Sequence, residues 1–137
     1  GKNDSNSEIE QMTQWVVNNL GPDIPMHFTA FHPDWKMTDV PATPQSTLLR
    51  AREIAIKNGI RYAYTGNTFD KNSQSTYCHK CKEILIGRDW YQLSDWNLND
   101  KGECSSCGEK LAGRFTNSAG VWGAKRKTIT IQSQSEF

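Results

Sequence analysis

The chain has 137 residues, 23% of them charged, with a formal net charge of +1. That balance gives no electrostatic footprint for nucleic acid. No apolar run approaches the roughly 20 residues that span a bilayer, and no charged-then-apolar leader opens the chain, so a soluble, cytoplasmic protein with no membrane partner is expected. Seven basic and eight acidic residues precede Tyr77 and nine and seven follow it, so neither half carries a basic surface. The length allows one ordinary domain, or a small domain plus a metal ribbon.

Ser5 and Glu8 have the spacing of a capping box, in which serine oxygen and glutamate carboxylate satisfy amides at a helix start. Ile9, Met12, Val16 and Leu20 then recur on one helical face until Gly21-Pro22 stops the run, which predicts a helix over about Asn6 to Leu20. From Ile24 to Phe31 the apolar residues alternate, the period of a strand. Thr43-Pro44 reads as a second helix start, with threonine as cap and proline in the first turn. Leu48, Ala51 and Ile54 or Ala55 would face inward, and Asn58-Gly59 gives a left-handed exit after about Lys57. Ile60 to Thr65 is a further β-rich run, broken at Gly66-Asn67.

Helix, strand, helix, strand with short connections argues for parallel strands joined by crossover helices. Two such strands cannot form a sheet buried on both faces, which parallel sheets normally are. With its abrupt start in a capped helix, the chain is therefore expected to be the C-terminal part of a larger α/β protein. Asp70 to Ser75 has no apolar anchor and is expected to begin a flexible linker over residues 71–77.

All four cysteines then fall into two pairs, Cys78-His79-Lys80-Cys81 and Cys104-Ser105-Ser106-Cys107, separated by 22 residues. Each pair bends into a knuckle, the spacer folds as a hairpin, and four thiolates meet at one tetrahedral metal. Two disulfides would suit a secreted chain, but paired knuckles without a leader favour a metal site in a reduced compartment. Zinc is the default ion, and iron accepts the same ligands. A site closed by four sulfurs is structural rather than catalytic. His79 is then an exposed knuckle residue, since the tetrahedron is already full.

Ligands in α/β folds meet the carboxyl ends of parallel strands. There the segment from His27 to Met37 gathers imidazole, carboxylate, indole and ammonium groups. His32, at the strand end before Pro33, is the functional candidate. His27 is either functional or a hydrogen-bonded interior histidine. Trp35 is expected to pack, and Asp34 and Lys36 to be solvated. No Ser-His-Asp arrangement, phosphate-cradling loop or His-x-x-x-His pair supports hydrolase, kinase or protease chemistry.

Several of these segments together resemble a known family. Gly1 to Ser5, Gly21 to Phe28, Phe31 to Met37, Gly66-Asn67, the two cysteine pairs, Ala112 to Phe115 and Gly120 to Gly123 resemble the C-terminal half of AmmeMemoRadiSam-type radical SAM enzymes, which are similar to the pyruvate formate-lyase activating enzyme. The resemblance implies the last two strands of a partial (βα) TIM-type barrel over residues 1–70. A four-cysteine zinc-ribbon-like β domain over 78–124 and a polar tail over 125–137 would follow. It also implies S-adenosylmethionine and a [4Fe-4S] cluster as cofactors, and hydrogen-atom abstraction as the reaction. By position, His32, Asn3 and Asp4 would lie in the S-adenosylmethionine shell, with Asn67 and His27 as further candidates. The family's Cys-x-x-x-Cys-x-x-Cys loop is absent, so the chain would not be competent alone. Its partners would be the N-terminal part of the same enzyme and, in one version, a protein substrate.

The alternative is an interaction module whose ribbon aromatics Trp90, Tyr91 and Trp96 contact protein or single-stranded nucleic acid. Charge argues against nucleic acid, and packing is the default role for those rings. Lys125 to Lys127 is a short basic run ahead of a polar end.

Overall fold

The computed structural model describes residues 1–120; Gly120-Val121-Trp122-Gly123 beyond its first residue, the end of the expected ribbon and the whole 125–137 tail lie outside them. Helix α1 (Asn6–Leu20) begins with the expected capping box: Glu8 N donates to Ser5 Oγ at 3.3 Å and Ser5 N to Glu8 Oε2 at 3.3 Å. Strand β1 (Met26–Thr29), helix α2 (Gln45–Lys57) and strand β2 (Ala63–Gly66) follow. The two strands are parallel, with Met26 opposite Ala63 and Thr29 opposite Gly66. The mixed α/β class and the parallel crossover are therefore as the residue pattern implies. Within the described residues this sheet has two strands.

The helical face of α1 is rotated from the apolar stripe. Ile9 and Thr13 are buried, Val16 and Val17 pack on the core of Ala55, Ile60 and Ala63, and Met12 and Leu20 are exposed. Thr13 is tolerated inside because its hydroxyl donates to Ile9 O at 2.8 Å and accepts from Asn58 Nδ2 at 2.8 Å. A satisfied buried hydroxyl loses little of its water interaction. On α2, Leu48, Ala51 and Ala55 are the buried residues. Gly59 takes the left-handed conformation at φ 105°, with its Cβ direction close to Val17.

Thr43 does not cap α2. Pro44 occupies the cap position without a side-chain bond, and Thr43 instead closes the loop after β1: Phe31 N donates to Thr43 Oγ1 and Thr43 N to Phe31 O, both at 3.0 Å. The first strand is correspondingly shorter than the alternation of Ile24 to Phe31 suggests, because Phe31 is already committed to this closure.

The segment read as a flexible linker is ordered instead. Residues Lys71–Gln74 form a helical turn, α3, capped by Asp70, and Thr76–Tyr77 form strand β3. Ser73, Ser75 and Thr76 are buried. Hydroxyls replace apolar anchors here: Ser73 bonds to Thr65, Tyr64 Oη lies 2.9 Å from Thr76 Oγ1, and Arg88 N donates to Ser75 Oγ at 3.0 Å. Composition alone cannot reveal such pairing, since the partners are distant in sequence.

Strands β3, β4 (Ile84–Asp89) and β5 (Gln92–Trp96) form an antiparallel sheet in that order. Leu85, Ile86, Leu98, Leu111, Cys78 and Cys104 make its core, with Trp96 and Phe115 against it. Tyr62, from just before β2, belongs to the same cluster. Its hydroxyl accepts from Ala112 N at 3.1 Å, so the two units share buried side chains rather than a flexible joint. Burial, the largest influence, raises the Tyr62 pKa above that of a free phenol.

The rotated α1 face is checked by paired substitutions. Ile9→Ala should cost about 2–4 kcal/mol in chemical denaturation and Met12→Ala less than about 0.5 kcal/mol, the difference between a buried and an exposed apolar side chain. Tyr62→Phe should cost about 1–2 kcal/mol through the unpartnered Ala112 amide.

Candidate metal centre

The two cysteine knuckles have the same backbone construction. In the first, Lys82 N donates to Cys78 O at 3.0 Å and Cys78 N to Glu83 O at 2.9 Å; in the second, Gly108 N donates to Cys104 O and Cys104 N to Glu109 O, both at 2.8 Å. Lys82 at φ 66° and Gly108 at φ 72° occupy equivalent left-handed positions, four residues after the first cysteine of each pair. Glycine takes that conformation without strain; lysine takes it at a cost on the order of 1 kcal/mol. The β4–β5 hairpin carries the second knuckle to the first through Asn97, which donates to Leu85 O and Ile84 O at 2.8 Å and accepts from Ser105 N at 3.1 Å.

The Sγ atoms of Cys78, Cys81, Cys104 and Cys107 all lie within 4.8 Å of one another, and none is in a disulfide. Cys78 and Cys107 are 3.6 Å apart, as are Cys81 and Cys104. Burial is the largest influence on Cys78 and opposes its ionisation. Amides of Cys81 and Lys80 pointing at the sulfur, with the Cys81 and Cys107 thiols, outweigh it and bring the pKa down to about 7. At Cys81 the Glu83 amide favours the thiolate most, yet burial and the sulfurs of Cys107, Cys78 and Cys104 together push the pKa up to about 12. Cys107 is raised too, against the pull of the Glu109 amide, by burial and by Cys78 and Cys104. One thiolate forms readily and its neighbours then resist. A cation at the centre removes that conflict, so the donor set fits a metal bound through four sulfurs and is compatible with zinc.

His79 is not the exposed knuckle residue that the spacing suggests. Its side chain is 16% exposed and its Nε2 lies 3.0 Å from Glu109 Oε1, bracing one knuckle against the end of the other. Hydrogen bonding to His79, opposed by partial burial and reinforced by Lys80, holds the Glu109 carboxyl below its usual range. The sequence offered no signal for this pair, since the partners are 30 positions apart.

The residues expected around a cofactor are less gathered. His32 is exposed and hydrogen-bonds to none of the other candidates. Asn67, left-handed at φ 55°, donates from Nδ2 to Ala30 O at 3.4 Å and so joins the carboxyl ends of β1 and β2. His27 is neither interior nor hydrogen-bonded: it is exposed and its ring lies 5.0 Å from that of Tyr64. Asn3 is exposed, and the Asp4 carbonyl accepts from Arg50 at 2.7 Å. Trp35 does not pack; it is 82% exposed, with Lys36 Nζ 4.5 Å from its ring centroid.

No protein-family model matches the chain, and no solved structure matches it. An uncharacterized protein of Methanocaldococcus jannaschii is 40% identical over 110 residues, covering 80% of this chain and 33% of that protein. The chain spans about a third of the length of this relative. Among the described residues no helix is long and apolar enough to cross a membrane.

Because the α/β unit has its own apolar cluster of Ala55, Ile60 and Ala63, apart from the knuckles, metal removal should act locally. Chelation, or Cys104→Ser, is expected to expose the amides of β4, β5 and both knuckles to hydrogen exchange while those of α1 and α2 stay protected. Simultaneous loss of protection throughout would show that the metal holds the whole chain.

Proposed function

We propose that this chain is the C-terminal part of a radical SAM enzyme, with a structural zinc at the four cysteines and strand-end side chains that help to orient S-adenosylmethionine. The observation that carries the reading is the asymmetry of the parallel sheet. Arg52 Nε donates to Ala63 O at 2.9 Å. That carbonyl points away from β1, because Tyr62 O, one residue earlier, already accepts from Met26 N at 2.8 Å. The outer edge of β2 is thus capped by a side chain. The outer edge of β1, where His27 and Thr29 turn their main-chain groups, has no strand beside it among the described residues. A sheet closed on the β2 side and open on the β1 side suits the last two strands of a longer series.

The cluster that supplies the electron for S-adenosylmethionine cleavage is not held by this chain. Its four cysteines all converge on one centre, so the [4Fe-4S] ligands belong to residues outside it. What the chain would contribute is placement. The imidazole of His32, on the loop after β1, and the amide of Asn67, just after β2, are of the kind that bonds to ribose hydroxyls.

The interaction-module reading has one observation in its favour. Phe69 is 89% exposed and Tyr91 70%, and the Phe69 and Trp90 rings stand 5.4 Å apart, so aromatic surface gathers where the β4–β5 turn meets the loop after β2. Trp96, by contrast, packs on the ribbon core.

The two readings part in a single assay. The longer protein that contains this chain, purified without oxygen and reduced with dithionite, should convert S-adenosylmethionine to 5′-deoxyadenosine and methionine. His32→Ala should raise the KM for S-adenosylmethionine about tenfold, the effect of one lost hydrogen bond of about 1.4 kcal/mol. A protein with an intact cluster that yields no 5′-deoxyadenosine would refute the enzyme reading.

A further inference from the structure

A groove of about 540 Å³ lies between the α2–β2 segment and the first cysteine knuckle. It sits at the amino end of β2, away from the loops after β1 and β2 that carry His32 and Asn67, so it is independent of the radical SAM reading. Arg52, Arg61 and Lys82 line it, and no carboxylate does. Ile56, Ile60 and Tyr77 provide apolar wall.

Arg52 is already arranged to hold an anion. Its Nε is fixed on Ala63 O at 2.9 Å and its guanidinium carbon lies 5.8 Å from the Tyr77 ring centroid. Its two terminal nitrogens donate to no group among the described residues. A guanidinium fixed at Nε and backed by an aromatic ring presents those nitrogens as a fork, which matches two oxygens of a phosphate and loses little freedom on binding. Arg61 contacts Asp23 through one terminal nitrogen at 3.0 Å, and among the described residues Lys82 Nζ donates to the carbonyl of His79 at 2.9 Å and pairs with no carboxylate. With Asp23 offsetting one of three cations, the wall keeps a surplus of two positive charges. A carboxylate would neutralise only one of them; a phosphate monoester, at about −1.5 to −2 near neutral pH, meets both. Concave positive walls also concentrate anions from solution, and the volume falls within the roughly 300–1,000 Å³ of small-molecule sites.

We propose that this groove binds a phosphate-bearing small molecule of nucleotide size, with the phosphate on the Arg52 fork, Arg61 and Lys82 balancing its charge, and the less polar portion against Ile56 and Ile60. The Tyr77 ring, 5.8 Å from the Arg52 guanidinium carbon, shares that wall.

The metal-loaded chain, titrated calorimetrically and by amide chemical shifts, tests this with AMP, inorganic pyrophosphate, adenosine and a short oligonucleotide. AMP and pyrophosphate should bind saturably, more weakly as salt rises, with shifts at Ile56 and Tyr77, and adenosine should not bind. Arg52→Gln should weaken AMP at least about tenfold, as loss of a charged fork predicts. Because that change also uncaps Ala63, Lys82→Gln serves as the second variant, with a loss of about threefold and an unchanged melting temperature. No binding of either phosphate probe to the folded chain would overturn the assignment, as would undiminished binding in both variants. Binding of the oligonucleotide without AMP or pyrophosphate would overturn the small-molecule class in favour of a nucleic-acid backbone.

Discussion

Four sulfurs held within a few ångströms of each other cannot all carry charge unless a cation joins them, and the second half of the chain is arranged around that constraint. The backbone amides of each knuckle point at sulfur and favour thiolate at Cys78. The neighbouring sulfurs then oppose further ionisation at Cys81 and Cys107. A metal reverses the balance and turns repulsion into four bonds. The surrounding core is small, chiefly Leu85, Ile86, Leu98 and Leu111, so a ribbon of this size would rely on a bound ion for much of its order.

The ribbon meets the α/β unit through polar and aromatic contacts as well as the buried Tyr62. Tyr62 enters the ribbon cluster and bonds to Ala112; Tyr64 meets Thr76; Thr65 meets Ser73. Hydroxyl pairs at a junction are directional, so they fix the relative placement of the joined elements at the cost of requiring every partner to be present. Helix α3 follows from this. Four polar residues would not form a stable helix alone, yet Asp70 caps it and Lys71 pairs with Asp89 at 2.7 Å, which holds it against β4.

The parallel sheet has two unlike edges, and the difference bears on both functional readings. Arg52 bonds to the Ala63 carbonyl on the outer edge of β2 and lines the groove with Tyr77, whose ring centroid is 5.8 Å from its guanidinium carbon. Among the described residues no strand lies beside the β1 edge at His27, whose ring lies 5.0 Å from that of Tyr64. The radical SAM reading draws on this difference between the two edges.

The sequence by itself determined the features that rest on local chemistry: the capping box at Ser5 and Glu8, the glycine exit after α2, the parallel strand pair, and the four cysteines whose spacing brings them to one point. Tertiary structure decided whatever depended on partners distant in the chain. Met12 satisfies the helical period but is exposed, because Thr13 finds Asn58 and turns that face inward. The polar run after Asp70 looked like a joint because hydroxyls count as anchors only when their partners are known. Thr43 has the composition of a cap and closes a loop with Phe31 instead. His79 finds Glu109, and Arg52 finds Ala63 and Tyr77, only after folding. Periodicity and spacing report what a residue can do within one turn or one hairpin; which polar group it meets across the molecule is set by packing.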